Sequence, residues 1–191
     1  DWILDEFALI RKEHGQKDRR CRIEHSQHLS KSAVPRFGAE NIIPSMQPYH
    51  IYDDGSWAHK RIDHDRLTRT YVFKTLIESG ANLTFGSDWT VAPLNPVTGI
   101  YAAVTRHTRD GKNPDGWYPS EKISVEDALR AYTMNNAYAA FWENKTGSIM
   151  VGKYADFVLH SVNFLTATPE EILNSKVLRT VVAGKDYIFE K

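Results

Sequence analysis

Three short apolar runs, set among segments with helical spacing, constrain this chain more than any other feature. Cys21 to about Ser26, Asn41-Ile-Ile-Pro-Ser-Met and Leu83 to Phe85 are too short for buried helices and read as strands, the second kept brief or irregular by Pro44. Before the first, Ile3, Phe7 and Ile10 recur at i, i+4, i+7 and Gly15 supplies a stop, which predicts a helix from about Trp2 to His14. Val72, Phe73, Leu76 and Ile77 form the stripe of a second helix ended by Gly80. Asn95 as cap and Pro96 at the first helical position start a third, carrying Val97, Ile100, Tyr101 and Val104. Alternating strands and helices predict an α/β fold with a parallel sheet or part of a (β/α) barrel. Three strands cannot close a barrel, which takes eight and about 250 residues.

Ser124, with Asp127 three residues on, predicts one further helix running through Val125, Ala128, Leu129 and Tyr132 to about Phe141. From Gly147 the texture changes. Asp156-Phe-Val-Leu-His and Val177 to Ala183 read as strands, with Gly184-Lys-Asp as a hairpin turn into Tyr187-Ile-Phe and a short helix from about Pro169 to Asn174 between them. The expected division is an α/β part over 1–143 and a β layer over 144–191. Between Gln47 and about Asp65 runs a long loop with histidines and the aromatics Tyr49, Tyr52 and Trp57, of the kind that carries function.

Composition narrows the partners. Lys plus Arg and Asp plus Glu each number 24, so the formal charge is zero, and no long charged run calls for a nucleic acid or a membrane surface. A small-molecule partner fits better. No apolar stretch approaches the ~18 residues that span a bilayer. Cys21 is the single cysteine, which excludes an intrachain disulfide and a cysteine-rich zinc module. Asp1-Trp-Ile-Leu-Asp-Glu lacks an initiator Met and a signal peptide and reads as mid-helix, so the expectation is a chain that starts inside a larger protein. A signal peptide would then lie upstream, and the compartment is unassigned, with the cytoplasm as default.

The residues able to carry chemistry cluster after the strands. His25 ends the first run, where the bland reading is a hydrogen-bonded strand histidine and the functional one a neutral imidazole ligand of a divalent metal. Alternation puts Cys21, Ile23 and His25 on one face and Arg22 and Glu24 on the other, the latter pair accommodated by a mutual salt bridge or a polar layer. Asp88, in Gly86-Ser-Asp-Trp, is either turn chemistry or an acid that binds metal through one oxygen and takes a proton from water with the other. Thr84 and Gly86 share its parity and leave room beside it. His50 follows the middle run and so sits at the same end of the sheet, as a surface histidine or a group that binds substrate. His28 reads as a neighbouring loop residue rather than a ligand, His59 and His64 as solvated, and the loop aromatics as pocket wall or as loop pins.

Arg22-Ile-Glu-His-Ser-Gln, Pro44-Ser-Met-Gln-Pro-Tyr-His and Gly86-Ser-Asp-Trp, in this order, resemble the amidohydrolase superfamily, in the subgroup containing N-substituted formamide deformylase. Asp127-Ala-Leu-Arg-Ala-Tyr-Thr, Gly147 to Leu159 and Thr180-Val-Val-Ala-Gly-Lys are similar to that subgroup's C-terminal signature. The resemblance implies a (β/α)8 TIM barrel with a small β-sandwich, the three runs being barrel strands six to eight. It implies His25 and Asp88 as ligands of a divalent metal, zinc first with iron or manganese as alternatives, Asp88 as the catalytic acid and base, and His50 as a substrate-binding residue. The implied reaction is hydrolysis of a carbon-nitrogen bond in an amide-like substrate by metal-activated water.

Departures from the pattern shape the alternatives. The family's His-x-His pair, bridging lysine or acid and strand-five histidine have no counterpart, and two ligands fall short of the three that a catalytic zinc keeps. Thr90 stands where proline is frequent in the family, which touches loop shape only. Exposed strand edges and apolar surface are expected, so the isolated chain should be unstable, self-associated, or a piece of a longer protein whose N-terminal barrel half it lacks. The rival from another class is a truncated, non-catalytic barrel module with a binding or regulatory role. A third reading pairs His25 and Asp88 as acid and base without metal.

Overall fold

The computed structural model describes residues 1–187, and its elements begin with α1 (Trp2–His14), which Gly15 ends at a φ of 73°. There follow β1 (Arg22–Glu24), α2 (Val34–Ala39), β2 (Ile43–Met46), α3 (Tyr49–Asp54), a 3-10 turn at Ala58–Lys60, α4 (His64–Leu67), α5 (Phe73–Glu78) and β3 (Thr84–Phe85). Asn95 accepts a hydrogen bond from Val97 N and Pro96 opens α6 (Pro96–Thr105), the cap that the sequence predicts. A 3-10 turn at Pro119–Glu121 leads to α7 (Val125–Tyr132), capped by Ser124 through the Asp127 amide. Then come α8 (Met134–Ala139), β4 (Phe157–His160), α9 (Pro169–Leu173), β5 (Val177–Val182) and β6 (Lys185–Tyr187).

β1, β2 and β3 form a parallel sheet in that order, with Ile23 opposite Pro44 and Met46 opposite Phe85 on one face. That face is the apolar one. Met46 and Phe85 are buried, Phe73 packs edge-on against Phe85 at 4.8 Å, and Tyr132 meets Phe85 at 5.4 Å. The opposite face carries Arg22, Glu24 and Ser45 and is polar: Arg22 Nε lies 2.8 Å from Glu24 Oε1, and Ser45 Oγ donates to Glu24 at 2.6 Å. The salt bridge expected of the two charged strand residues is therefore made, on a surface open to water.

β4, β5 and β6 make a separate antiparallel sheet. Its hairpin turns at Ala183-Gly184, with φ of 51° and 76°, one residue earlier than the sequence predicts. Two consecutive left-handed residues match the right-handed strand twist, and Lys185 thereby already pairs with Val182. Val158, Leu178, Val182 and Tyr187 lie exposed on one side of this sheet. Ile188 and Phe189 of the expected last strand fall outside the described residues. Pro169 opens α9 where the sequence predicts a short helix, and Thr168 forms a capping box with Glu171.

Three segments depart from the sequence reading. The stretch read as loop from Gln47 holds α3, a 3-10 turn and α4 instead, because Ile51 and Leu67 anchor short helical turns to the core without the periodicity of a long helix. The helix expected from Ser124 to Phe141 breaks at Thr133. The break lets α8 turn so that Asn135 and Asn136 donate to Leu83 O and Phe85 O at 2.8 Å each, gripping β3 from the side. A third helix, α2 around Pro35, was not read from the sequence; Pro35 sits in its first turn, where a missing N–H costs nothing.

Candidate metal centre

Because the three strands are parallel, their carboxyl ends share one edge of the sheet. His25 follows β1 directly. It and Ser26 have φ of 68° and 42°, a left-handed turn held by Ser26 N to Glu24 O at 2.9 Å and Ser26 Oγ to Ile23 O at 3.0 Å. Strand alternation therefore stops at Glu24, and His25 does not continue the face of Ile23 as the sequence reading has it. Left-handed backbone at non-glycine residues costs of order 1–3 kcal/mol each and persists only where the surroundings hold it.

His50 sits in the first turn of α3, which opens just after β2, with its amide on Gln47 O at 3.1 Å. Asp88 follows β3, also left-handed at a φ of 58°, and its carbonyl accepts from Val91 N and Ala92 N. Gly86 N extends the sheet by donating to Met46 O at 3.0 Å, and a side chain built at Gly86 would meet open space.

A ring nitrogen from His25, one from His50 and a carboxylate oxygen of Asp88 all lie within 4.8 Å of one another. His50 Nε2 is 3.7 Å from Asp88 Oδ2, and the His25 and His50 rings stack with centroids 6.0 Å apart and planes 16° apart. His50 Nε2 is buried and has no hydrogen-bond partner. A buried polar nitrogen left unpaired is costly unless something else satisfies it. Three ligand atoms this close together are within reach of a single divalent cation. Two imidazoles and a carboxylate suit zinc, iron or manganese. The residues fit a divalent cation.

The structure thus puts His50, read from the sequence as substrate-binding, among the candidate ligands. His28 turns away: its Nδ1 is 2.9 Å from Thr70 Oγ1, an isolated antiparallel bridge joins the two residues, and burial pushes its pKa down. His59 and His64 are exposed and stand outside the group, His64 lying 6.4 Å from the Tyr118 ring. Tyr49 and Tyr52 pack on each other at 5.9 Å, and Trp57 is partly exposed. Sequence reasoning missed Gln27, Asp54 and Tyr71, which interlock beside the site over separations of 27 and 17 residues, beyond any local pattern.

Comparison with known proteins points the same way. The chain is 41% identical over 186 residues to Protein LONG AFTER FAR-RED 3 of Arabidopsis thaliana, covering 97% of this chain and 31% of that protein. It is 25% identical over 188 residues to N-substituted formamide deformylase of Arthrobacter pascens, covering 96% of this chain and 33% of that one. Its fold matches an uncharacterized metal-dependent hydrolase from Pyrococcus horikoshii OT3 with a TM-score of 0.73 at 25% identity, over 89% of this chain and 34% of the other. The chain spans about a third of the length of these relatives. With the model of the Amidohydrolase family matching residues 1–186, the chain belongs to that family.

Proposed function

We propose that this chain is the C-terminal part of a metal-dependent amidohydrolase that hydrolyses a carbon-nitrogen bond in a small amide-like substrate. The observation that carries the reading is the convergence of His25, His50 and Asp88, with His50 Nε2 buried and unpartnered. On this reading β1, β2 and β3 are barrel strands six, seven and eight, residues 1–143 belong to the barrel, and residues 144–191 contribute to a β-sandwich. The remaining barrel and any further ligands come from the rest of a protein about three times as long, in keeping with the share of its relatives that the chain spans.

A divalent cation, zinc first with iron or manganese as alternatives, supplies Lewis acidity when bound, acidifying a water and polarising a carbonyl oxygen. His25 and His50 each offer a neutral ring nitrogen. Asp88 offers one carboxylate oxygen to the cation and keeps the other for a proton, which it takes from water and returns to the leaving nitrogen. The Asp88 side chain is partly exposed, which keeps that carboxylate accessible.

The test is turnover of simple N-formyl and amide compounds by the full-length protein before and after chelation. Loss on chelation and recovery with zinc is the expected result. Turnover that survives chelation overturns the metal reading in favour of His25 and Asp88 acting as an unaided acid-base pair. Neither turnover nor stoichiometric metal in the full-length protein favours the non-catalytic module.

A further inference from the structure

His25 and His50 reach each other from separate segments, and the β1–β2 ladder ends at Glu24 opposite Ser45, just short of His25. Beyond that point, besides the stacked rings, a hydrogen bond to one carboxylate ties the two segments together among the described residues. Asp54, the last residue of α3, accepts two hydrogen bonds on Oδ2: from Gln27 Nε2 at 2.8 Å and from the Tyr71 hydroxyl at 2.6 Å. Gln27 lies two residues past His25, and Asp54 lies one helical turn past His50, on the same side of α3.

Tyr71 is the fixed post of this arrangement. It is almost fully buried, its amide donates to Gln27 O at 2.9 Å, and its carbonyl accepts from Arg106 Nη1 at 2.8 Å. Burial, and then the neighbouring Asp54, push the phenol pKa far up, so the hydroxyl stays a donor. Arg106 itself is buried and further held by Trp117 O at 2.6 Å. The chain of contacts therefore runs from the core, through Tyr71 and Asp54, to the turn that follows His25.

We propose that Asp54 is a positioning residue that sets the separation of His25 and His50 by tying the turn after β1 to the helix that carries His50. The proposal rests on reading His25, His50 and Asp88 as a cation site. Its physical basis is the small tolerance of such sites: groups that orient ligands act through displacements of about half an ångström, and their loss costs about 10–100-fold in metal affinity.

Zinc affinity of the full-length protein, read by competition with a chromophoric chelator, and histidine ring resonances of its metal-free form together test it in Asp54→Ala, Asp54→Asn and Gln27→Ala. Gln27 is only half-buried, so its variant folds even where loss of Asp54 proves too disruptive. Asp54→Ala and Gln27→Ala should each weaken zinc binding about 10–100-fold, with a double variant no worse than the poorer single one. Asp54→Asn should recover part of the loss, since its oxygen still accepts from Gln27 and its amide group donates to the Tyr71 oxygen. In metal-free protein the ring-current shifts of the stacked His25 and His50 should shrink in both alanine variants. Unchanged zinc affinity with unchanged ring shifts overturns the proposal, whatever happens to melting temperature. If the wild type binds no zinc, the cation reading falls, and the ring shifts alone decide: their loss in the variants upholds the positioning role, and their persistence overturns it.

Discussion

His50 Nε2 and Asp88 Oδ2 lie 3.7 Å apart although one belongs to a helix after β2 and the other to a left-handed turn after β3. The pairing of those two strands brings them together, and His25 completes the group from the neighbouring strand. A buried nitrogen next to a carboxylate distinguishes two roles for His50 by experiment. As a ligand, His50→Ala should lower zinc affinity about 10-fold or more, with KM a secondary effect. Full zinc retention with a raised KM would return His50 to the substrate-binding role, and dialysis against graded zinc with steady-state kinetics reads both.

Asp88→Asn keeps the size and hydrogen-bonding shape of the side chain and removes its capacity to take a proton. In the full-length protein kcat should fall by about 10²–10⁴, the usual worth of a positioned general acid or base. Retained turnover would remove Asp88 from the proton path. Circular dichroism of the variant checks that the turn at Asp88 survives.

Arg106 is the largest fully buried side chain, and it makes no ion pair among the described residues: its three nitrogens donate to Trp117 O, Tyr71 O and Thr70 O at 2.6, 2.8 and 3.4 Å. Burial lowers its pKa to about 10, which leaves it cationic at neutral pH. Arg106→Leu should cost about 2–4 kcal/mol in urea denaturation, because it strands the Trp117 and Thr70 carbonyls and leaves Tyr71 O with Phe73 N alone. Arg106→Lys should recover little, since one ammonium cannot span the positions of a guanidinium fork.

Gly38 in α2 faces the backbone of the turn after α5, where an added Cβ would sit 1.7 Å from Ser79 O. Backbone cannot rotate aside as a side chain does. Gly38→Ala should therefore destabilise by about 1–3 kcal/mol through forced separation of α2 and α5, measured as a shift in denaturation midpoint.

Acid should weaken the attachment of the segment before β1 to the end of α8. Arg20 is sandwiched between the Tyr138 and Phe141 rings at 3.9 and 4.0 Å and forks onto both oxygens of Glu143 at 2.8 and 2.7 Å. That hydrogen bonding lowers the Glu143 pKa from 4.5 to about 2. A carboxyl whose pKa is lower when folded stabilises fully above its unfolded value and loses the contribution as pH falls through the folded one. The melting-temperature gap between wild type and Glu143→Gln should thus be widest above pH 4.5 and close as pH falls towards 2. A gap that stays constant over that range would deny Glu143 this role.

Much of the α/β part was legible because its signals are local. The caps at Asn95 and Ser124, the stop at Gly15, and the short apolar runs before His25, His50 and Asp88 all lie within a few residues of what they determine. The illegible parts depend on distance or on unfavourable backbone. Nothing in His25-Ser26 announces two left-handed residues, so strand alternation gives the wrong face for His25. The break at Thr133 depends on the carbonyls of Leu83, just before β3, and Phe85, within it, which lie 52 and 51 residues from the asparagines that seek them. His50 came to its neighbours through an helix that formed where a loop was expected, because Ile51 finds the core.

The parallel order β1-β2-β3 also governs how the site comes into being during folding. Each pairing closes a long stretch of chain, with Glu24 and Ser45 21 residues apart and the next step across to Thr84 longer still. Such closures cost entropy before any contact repays it, so they form slowly and together. A nascent or partly unfolded chain holds His25, His50 and Asp88 in its sequence and yet has no site, and a cation that binds the finished sheet therefore draws the folding equilibrium towards the one topology that brings the three residues together.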